Sequence, residues 1–152
     1  QPSLPSPSRH SMLTYRGTIY PWHCDHMGHM NVMWYVGKFD EATWQLAGAL
    51  GLTGRALAGS GCGMVAAEQL TQYRAELFAG DLITIHTRIL GTSARSLRFE
   101  HAMRNATTGE LAAVSTLVGV HIDRTTRRAC PLPDDVQAAI EACLQDLSTT
   151  GA

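Results

Sequence analysis

The sequence is poor in charge, in long apolar runs and in patterned cysteines. Only 16% of its 152 residues are charged, and 12 Lys and Arg nearly balance 13 Asp and Glu, so no nucleic acid or anionic membrane is favoured as a partner. No apolar run approaches the roughly 18 residues of a membrane-spanning helix, so we predict no membrane segment. Four cysteines without a CxxC pair favour free thiols in a reducing compartment, and we therefore predict a cytoplasmic protein.

The first ten residues, QPSLPSPSRH, contain Pro and Ser but no apolar stretch. We therefore expect no secretion signal in them and a disordered tail over residues 1–10. The length of the remainder suits a single domain, which we place at 11–147.

Period-two patterns of apolar residues predict five strands. They lie at 11–20, 64–77, 81–90, 94–104 and 110–123. Gly, Ser, Thr, Asn and Asp fill the short breaks between the last four strands, as tight turns require. The sequence therefore predicts an antiparallel meander.

A helical period begins after Asn31, whose side chain suits an N-cap, and Gly51 suits the end of the helix. Because most of its residues are apolar, we expect only a narrow polar stripe, which includes Lys38, to face water. Gly59–Gly63 is interpreted as a flexible connection, and 133–147 as a C-terminal helix. One large sheet and one long apolar helix favour an α+β fold in which the sheet wraps around that helix.

The chemistry is concentrated in the loop before the long helix, between Trp22 and Met30. The helix begins with unpaired backbone N–H groups and the positive end of its dipole, which can hold the oxygen of a thioester carbonyl. Asp25, a few residues upstream, could attack that carbonyl or draw a proton from an attacking water. Gly28 lets the backbone approach a ligand closely.

The string Asp25-His-Met-Gly-His-Met-Asn31, with Tyr35 after it, resembles the D-x-x-G-H-x-N…Y signature of the hot-dog thioesterases. These are the 4-hydroxybenzoyl-CoA thioesterase-like proteins and their acyl-CoA relatives. The similarity covers roughly Tyr15 to Asp123. It implies a hot-dog fold, which is a five-stranded antiparallel sheet around one long central helix, with active sites between the subunits of a homodimer or tetramer. It also implies hydrolysis of an acyl-CoA thioester without a metal or redox cofactor.

The resemblance implies roles for individual residues. Asp25 matches the catalytic carboxylate and Gly28 the loop glycine, while His29 and Asn31 match polar residues that shape the loop and support the helix start. Val32 matches the position whose backbone N–H polarises the thioester carbonyl. Several relatives carry Asn, His or Tyr at that position, but a backbone donor survives the change to valine.

Four further residues are candidates for substrate binding. Trp22, Trp34 and Tyr35 could line an acyl pocket, although Trp34 suits core packing equally well. In the resembling fold, Glu68 lies on a strand that runs near the partner's active site, where it could orient water. A solvated or cross-strand-paired Glu68 is the simpler interpretation.

Simpler interpretations also exist for other polar and aromatic residues. Asp25 could be only a turn residue. The His, Cys and Asp side chains of the loop are metal-ligand types, but their spacing matches no tetrahedral template, so we predict no metal site. His101 shares a strand face with apolar residues and is interpreted as a core or interface histidine, and Trp44 as a core residue.

Two rival functions remain open. The same fold could hydrate or dehydrate acyl thioesters, although the differently placed His and acidic residues of such enzymes are not found. The chain could also be a non-catalytic subunit that only binds acyl-CoA.

Overall fold

The computed structural model describes residues 11–148, with side chains to residue 144. In chain order the elements are β1 (Met12–Thr18), a 3-10 turn (Pro21–His23), α1 (Val32–Ala49), α2 (Gly54–Ser60), β2 (Cys62–Tyr73), β3 (Leu82–Thr92), β4 (Ser96–Asn105), β5 (Leu111–Asp123) and α3 (Asp134–Ser148). The predicted α+β class is confirmed, whereas the tail at 1–10 lies outside the described residues. None of the helices in 11–148 has the length and apolar character needed to cross a membrane.

All five strands form one antiparallel sheet in the order β1-β3-β4-β5-β2. Ile85 pairs with Met103, which pairs in turn with Ala113, so three fully buried residues lie side by side across the sheet. Within residues 11–148, β1 and β2 are the outer strands, and each pairs with only one neighbouring strand. The predicted antiparallel meander is therefore confirmed for β3, β4 and β5 but is wrong for β2, which pairs with β5 instead of β3.

The buried apolar residues form two clusters, and α1 contributes to both. The end of α1 packs with α2, α3 and the sheet through residues that include Leu46, Leu50, Phe99, Val136 and Ile140. The start of α1 packs against the other half of the sheet, in a cluster that includes Tyr35, Phe39, Leu77, Ile85 and Met103. Burial of such side chains stabilises the fold by about 1.5–3 kcal/mol each. This packing fixes the position of the helix start, where the loop of interest ends.

The prediction that only a narrow polar stripe of α1 faces water is wrong. Lys38, assigned to that stripe, is buried, and its Nζ donates to the Tyr15 hydroxyl at 3.0 Å. Conversely, the helix exposes four apolar side chains, namely Val32, Met33, Val36 and Trp44. Trp44 is thus not the core residue we expected. Periodicity identifies the apolar positions of a helix but not which of them the sheet covers.

Strand β2 begins two residues earlier and ends four residues earlier than predicted. It ends at Tyr73 because the Arg74 and Ala75 N–H groups both donate to the Ala112 carbonyl, which interrupts the regular ladder. The segment Gly59–Gly63, predicted to be a flexible connection, instead contains the end of α2 and the start of β2.

His101 is fully buried, so its interpretation as a core residue is confirmed. Its Nε2 lies 2.8 Å from the Thr43 hydroxyl and its Nδ1 lies 2.6 Å from the Thr87 hydroxyl. Burial lowers the pKa of His101 to about 4, because the apolar surroundings disfavour the charged imidazolium. The core therefore contains a neutral histidine with both ring nitrogens paired.

Candidate active site

Backbone hydrogen bonds hold the loop between β1 and α1. Cys24 and Met30 form an isolated antiparallel bridge, and the Met30 N–H donates to the Leu77 carbonyl at 2.7 Å. Between them the Gly28 N–H donates to the Asp25 carbonyl at 2.9 Å. Gly28 has φ +86°, a conformation that strains other residues. The loop is therefore a tight turn anchored to the segment that follows β2.

The Asp25 carboxylate is at the surface and accepts two hydrogen bonds. Its Oδ1 accepts from the Met27 N–H at 2.8 Å, and its Oδ2 accepts from the Asn31 Nδ2 at 2.7 Å. The Asn31 bond, followed by the Met27 bond, lowers the pKa of Asp25 below its usual 3.8, because both stabilise the charged form. Asp25 is thus a carboxylate at neutral pH, available as a nucleophile or a base.

Asn31 joins this carboxylate to the start of α1. While its Nδ2 donates to Asp25, its Oδ1 accepts from the Met33 N–H at 2.9 Å, which confirms the predicted N-cap. The Val32 N–H, at the first helical position, has no acceptor among the hydrogen bonds within residues 11–148. A free amide at the positive end of the helix dipole therefore directly follows the residue that holds Asp25.

A depression of about 240 Å³ opens at this helix start. It is lined by His29, Met30, Val32, Tyr35, Tyr73, Arg74, Ala75 and Glu76. His29 points its Nε2 toward a Glu76 carboxylate oxygen, 3.7 Å away, and its Nδ1 lies 3.2 Å from the Met30 carbonyl oxygen. The depression therefore combines polar residues with Val32, the first residue of α1, whereas Asp25 is not among its lining residues.

Tyr35 is held rigidly in the wall of this depression. Its hydroxyl donates to the Ala75 carbonyl at 3.2 Å, and its ring meets the Tyr73 ring edge-on at 5.1 Å. Burial, the largest cause, raises the pKa of Tyr35 to about 12. The hydroxyl is therefore protonated at any ordinary pH.

The other predicted substrate-binding residues lie elsewhere. Trp22 and Trp34 line a separate depression of about 560 Å³, where Trp22 is stacked on Tyr20 at 4.4 Å. Glu68 is exposed on β2 and lines neither this depression nor the one at the helix start. Of the four residues predicted to bind substrate, only Tyr35 lines the depression at the helix start, together with His29 and Val32.

An apolar cavity of about 140 Å³ lies between α1 and the sheet. Trp44, Val65 and Phe99 are among its lining residues. Sequence reasoning missed this cavity, because it depends on how α1 sits on the sheet. It also missed Arg74 and Glu76 at the helix start, since these residues fell inside a strand predicted to continue to Leu77.

Comparison with known protein families matches residues 19–140 to the thioesterase-like superfamily. The chain is similar to a betainyl-CoA thioesterase of Pseudomonas aeruginosa, with 26% identity over 131 residues, 86% of this chain and 82% of the relative. It is 30% identical over 117 residues, 77% of its length, to an L-carnitine dehydrogenase/betainyl-CoA thioesterase of Agrobacterium fabrum. This match spans only 24% of that larger relative.

The fold is also similar to solved structures. A Staphylococcus aureus protein determined in complex with CoA superimposes with a TM-score of 0.83 at 21% sequence identity. The similarity covers 89% of this chain and 85% of that protein. At this level of identity the comparison demonstrates a shared fold.

Proposed function

The chain belongs to the thioesterase-like superfamily, and from this we propose that it hydrolyses an acyl-CoA thioester to a free acid and coenzyme A. We propose Asp25 as its catalytic carboxylate. One observation carries the assignment. Asp25 accepts a hydrogen bond from Asn31, which is the N-cap of α1, and the next residue is Val32, whose N–H has no acceptor within residues 11–148. The resemblance to hot-dog thioesterases inferred from the sequence is confirmed at the level of the family.

In the proposed reaction, the thioester carbonyl oxygen accepts a hydrogen bond from the Val32 N–H. Negative charge that develops on this oxygen is stabilised by the amide and by the dipole of α1. The Asp25 carboxylate either attacks the carbonyl carbon, giving an anhydride that water then opens, or takes a proton from an attacking water. In both routes the carbon–sulfur bond breaks and coenzyme A leaves as a thiolate that is then protonated.

The proposal gives supporting roles to the rest of the loop. Asn31 orients Asp25 and caps α1, as its two hydrogen bonds indicate. Gly28 provides the left-handed turn that brings Asp25 toward Asn31. We assign His29 to binding loop backbone rather than to general base catalysis, because its Nδ1 lies 3.2 Å from the Met30 carbonyl oxygen.

For the acyl group, we propose Tyr35 as a wall of the site, and Trp22 and Trp34 as part of a second, aromatic wall. The aromatic depression also contains Glu41, and aromatic faces with a carboxylate favour a quaternary ammonium. Betainyl-CoA should therefore be among the substrates tested, as the names of both curated relatives suggest. Lys38, which lines the same depression, opposes a cationic group there.

We further infer a homodimer or tetramer whose sheets join at β2. This edge strand exposes Val65, Leu70 and Tyr73, and such an apolar edge favours association with a second copy. In that assembly Glu68 would lie near the partner's active site. We also infer that the sheet wraps around α1, since α1 packs into both apolar clusters. The single domain at 11–147 and the cytoplasmic location stay predictions.

The test is thiol release from a panel of acyl-CoA thioesters, including betainyl-CoA, by the wild type and by Asp25→Asn. The substitution keeps the shape of the side chain but removes its charge. We expect turnover of the best substrate to fall on the order of 10²–10⁴-fold while the fold is retained. Wild-type turnover in the variant would show that Asp25 is not the catalytic carboxylate.

Asp123→Asn is the matched control. Asp123 is also a surface carboxylate that accepts backbone N–H groups of its own turn, but it lies at the end of β5. Its substitution should leave thiol release unchanged. Hydration of an enoyl thioester without thiol release would favour the hydratase alternative, and no turnover of any substrate would favour a non-catalytic acyl-CoA-binding subunit.

A further inference from the structure

Three side chains of the kinds that bind metal ions lie together at the end of the sheet where β5 ends. Cys62 begins β2 and pairs with Asp123 of β5. After a turn, the chain returns along the other side of β5, where the Cys130 N–H donates to the His121 carbonyl at 2.9 Å. Side chains alternate along a strand, so these pairings direct Cys62, His121 and Cys130 to one face.

Their ligand atoms are already close to the geometry of a metal site. The sulfurs of Cys62 and Cys130 and a ring nitrogen of His121 all lie within 4.8 Å of one another. The Cys130 Sγ is 3.3 Å from the His121 Nδ1. His121 is buried, while both thiols are half-buried, so an ion could enter from the solvent side and find a rigid imidazole behind the two sulfurs.

We propose that Cys62, His121 and Cys130 bind one zinc ion, with a water as the fourth ligand. Zinc takes thiolates at about 2.3 Å and imidazole at about 2.0 Å, so tetrahedral ligand atoms lie roughly 3.5–3.8 Å apart. The observed separations, which run from 3.3 Å to at most 4.8 Å, need only small movements to reach these values. Binding would release the two thiol protons to solvent.

A disulfide between the same cysteines fits the backbone less well. Cys62 and Cys130 lie on opposite sides of β5, and two strand spacings amount to roughly 9.5 Å. Disulfides usually require Cα atoms less than about 7 Å apart. A zinc ion between the sulfurs bridges the longer gap, and His121, on β5 between them, supplies the third ligand.

The ion would stabilise the fold without entering the thioester reaction. Cys62 and Tyr73 are the two ends of β2, so the zinc site lies roughly 35 Å along that strand from the depression at the helix start. Bound zinc would join β2, β5 and the segment after β5. Sequence reasoning missed the site because its three ligands are far apart in the chain and follow no metal-binding spacing.

Cobalt(II) substitution of the reduced full-length protein tests the assignment. We expect one metal ion per chain, a thiolate-to-cobalt charge-transfer band and the intense visible bands of tetrahedral cobalt, all displaced by zinc. Cys62→Ser, Cys130→Ser and His121→Asn should each weaken zinc binding at least tenfold. Cys143→Ala is the matched control, because Cys143 packs against the core apart from the three ligands and should bind as the wild type does.

A second measurement keeps the test independent of folding defects in the variants. Zinc should raise the melting temperature of the reduced wild type, and a chelator should reverse the rise. Cobalt spectra without a thiolate band, or zinc affinity unchanged in all three ligand variants, would overturn the proposal. So would formation of a Cys62–Cys130 disulfide with no metal uptake by the reduced protein.

Discussion

Two surface turns of this protein are built alike, one at Asp25–Gly28 and the other at Asp123–Arg127. In each, the aspartate Oδ1 accepts the N–H of the residue two positions later, at 2.8 Å. The pKa of both carboxyl groups is lowered, chiefly by the Asn31 bond at Asp25 and by the Thr126 N–H at Asp123, and these i+2 bonds add to the effect. Each also contains a residue with positive φ, Gly28 at +86° and Arg127 at +61°. Both turns therefore hold a charged carboxylate at the surface.

The difference lies in what each turn leads to. The second oxygen of Asp25 accepts from Asn31, which caps an 18-residue helix. The hydrogen bonds of Asp123 stay within its own turn, through the Thr125 and Thr126 N–H groups, and β5 ends there. The turns themselves therefore do not distinguish the two aspartates. Asp25 is the candidate catalytic group because it is linked to the start of a helix, and Asp123 is a structural residue.

Acid also changes the stability of the rest of the fold, through His101, so we compare the stability of the two turns near pH 7. The pKa of His101 is about 4 in the fold against 6.5 for an ordinary histidine. Because the folded pKa is depressed, the unfolded chain takes up the proton first. The stability from neutral His101 is fully present above pH 6.5 and is lost as the pH falls toward 4.

We therefore expect the free energy of unfolding to fall by up to about 3 kcal/mol between pH 7 and pH 4 through this group alone. Urea unfolding at several pH values measures the loss. His101→Gln should reduce the pH dependence, whereas His26→Gln, at an exposed loop position, should leave it unchanged. If the ring of His101 in the wild type titrated near 6.5 by NMR, this explanation would fail.

Asn31→Asp separates the two functions of the cap residue. Aspartate still accepts from the Met33 N–H, so α1 remains capped, but it faces Asp25 with a second negative charge instead of a donor. Repulsion should raise the pKa of the pair and displace the Asp25 carboxylate, the proposed catalytic group. We expect kcat/KM to fall about a hundredfold, as misplacement of a reacting group commonly causes.

The pH profile gives this prediction a second measurement. In the wild type, Asp25 should cause no acid limb of kcat/KM above pH 3.8, because hydrogen bonds lower its pKa. In Asn31→Asp the limb should move to higher pH. Asn31→Ser is the control, since it keeps a cap acceptor without adding charge. An unchanged limb in Asn31→Asp would mean that Asp25 does not govern the rate.

The sequence predicted the parts of this site that are local. Asn31 as cap, Asp25 in a turn and the end of α1 near Gly51 all depend on neighbours within a few residues, where side-chain chemistry acts directly. The buried state of Lys38 and the exposure of Trp44 depend on which face of α1 the sheet covers. Similarly, Arg74 and Glu76 reach the helix start only because β2 ends early, at Tyr73, where the next two N–H groups share the Ala112 carbonyl.

Gly28→Ala and Arg127→Gly complete the comparison, with the smallest expected effect. An added Cβ at Gly28 meets no atom within 4 Å, so backbone strain alone should destabilise the protein, by about 1 kcal/mol. Arg127→Gly relieves the same strain in the other turn and should stabilise the protein by up to about 1 kcal/mol, less the entropy that glycine adds to the unfolded chain. Urea unfolding at pH 7 measures both. Shifts in the same direction would show that the two turns do not share the backbone strain on which their comparison rests.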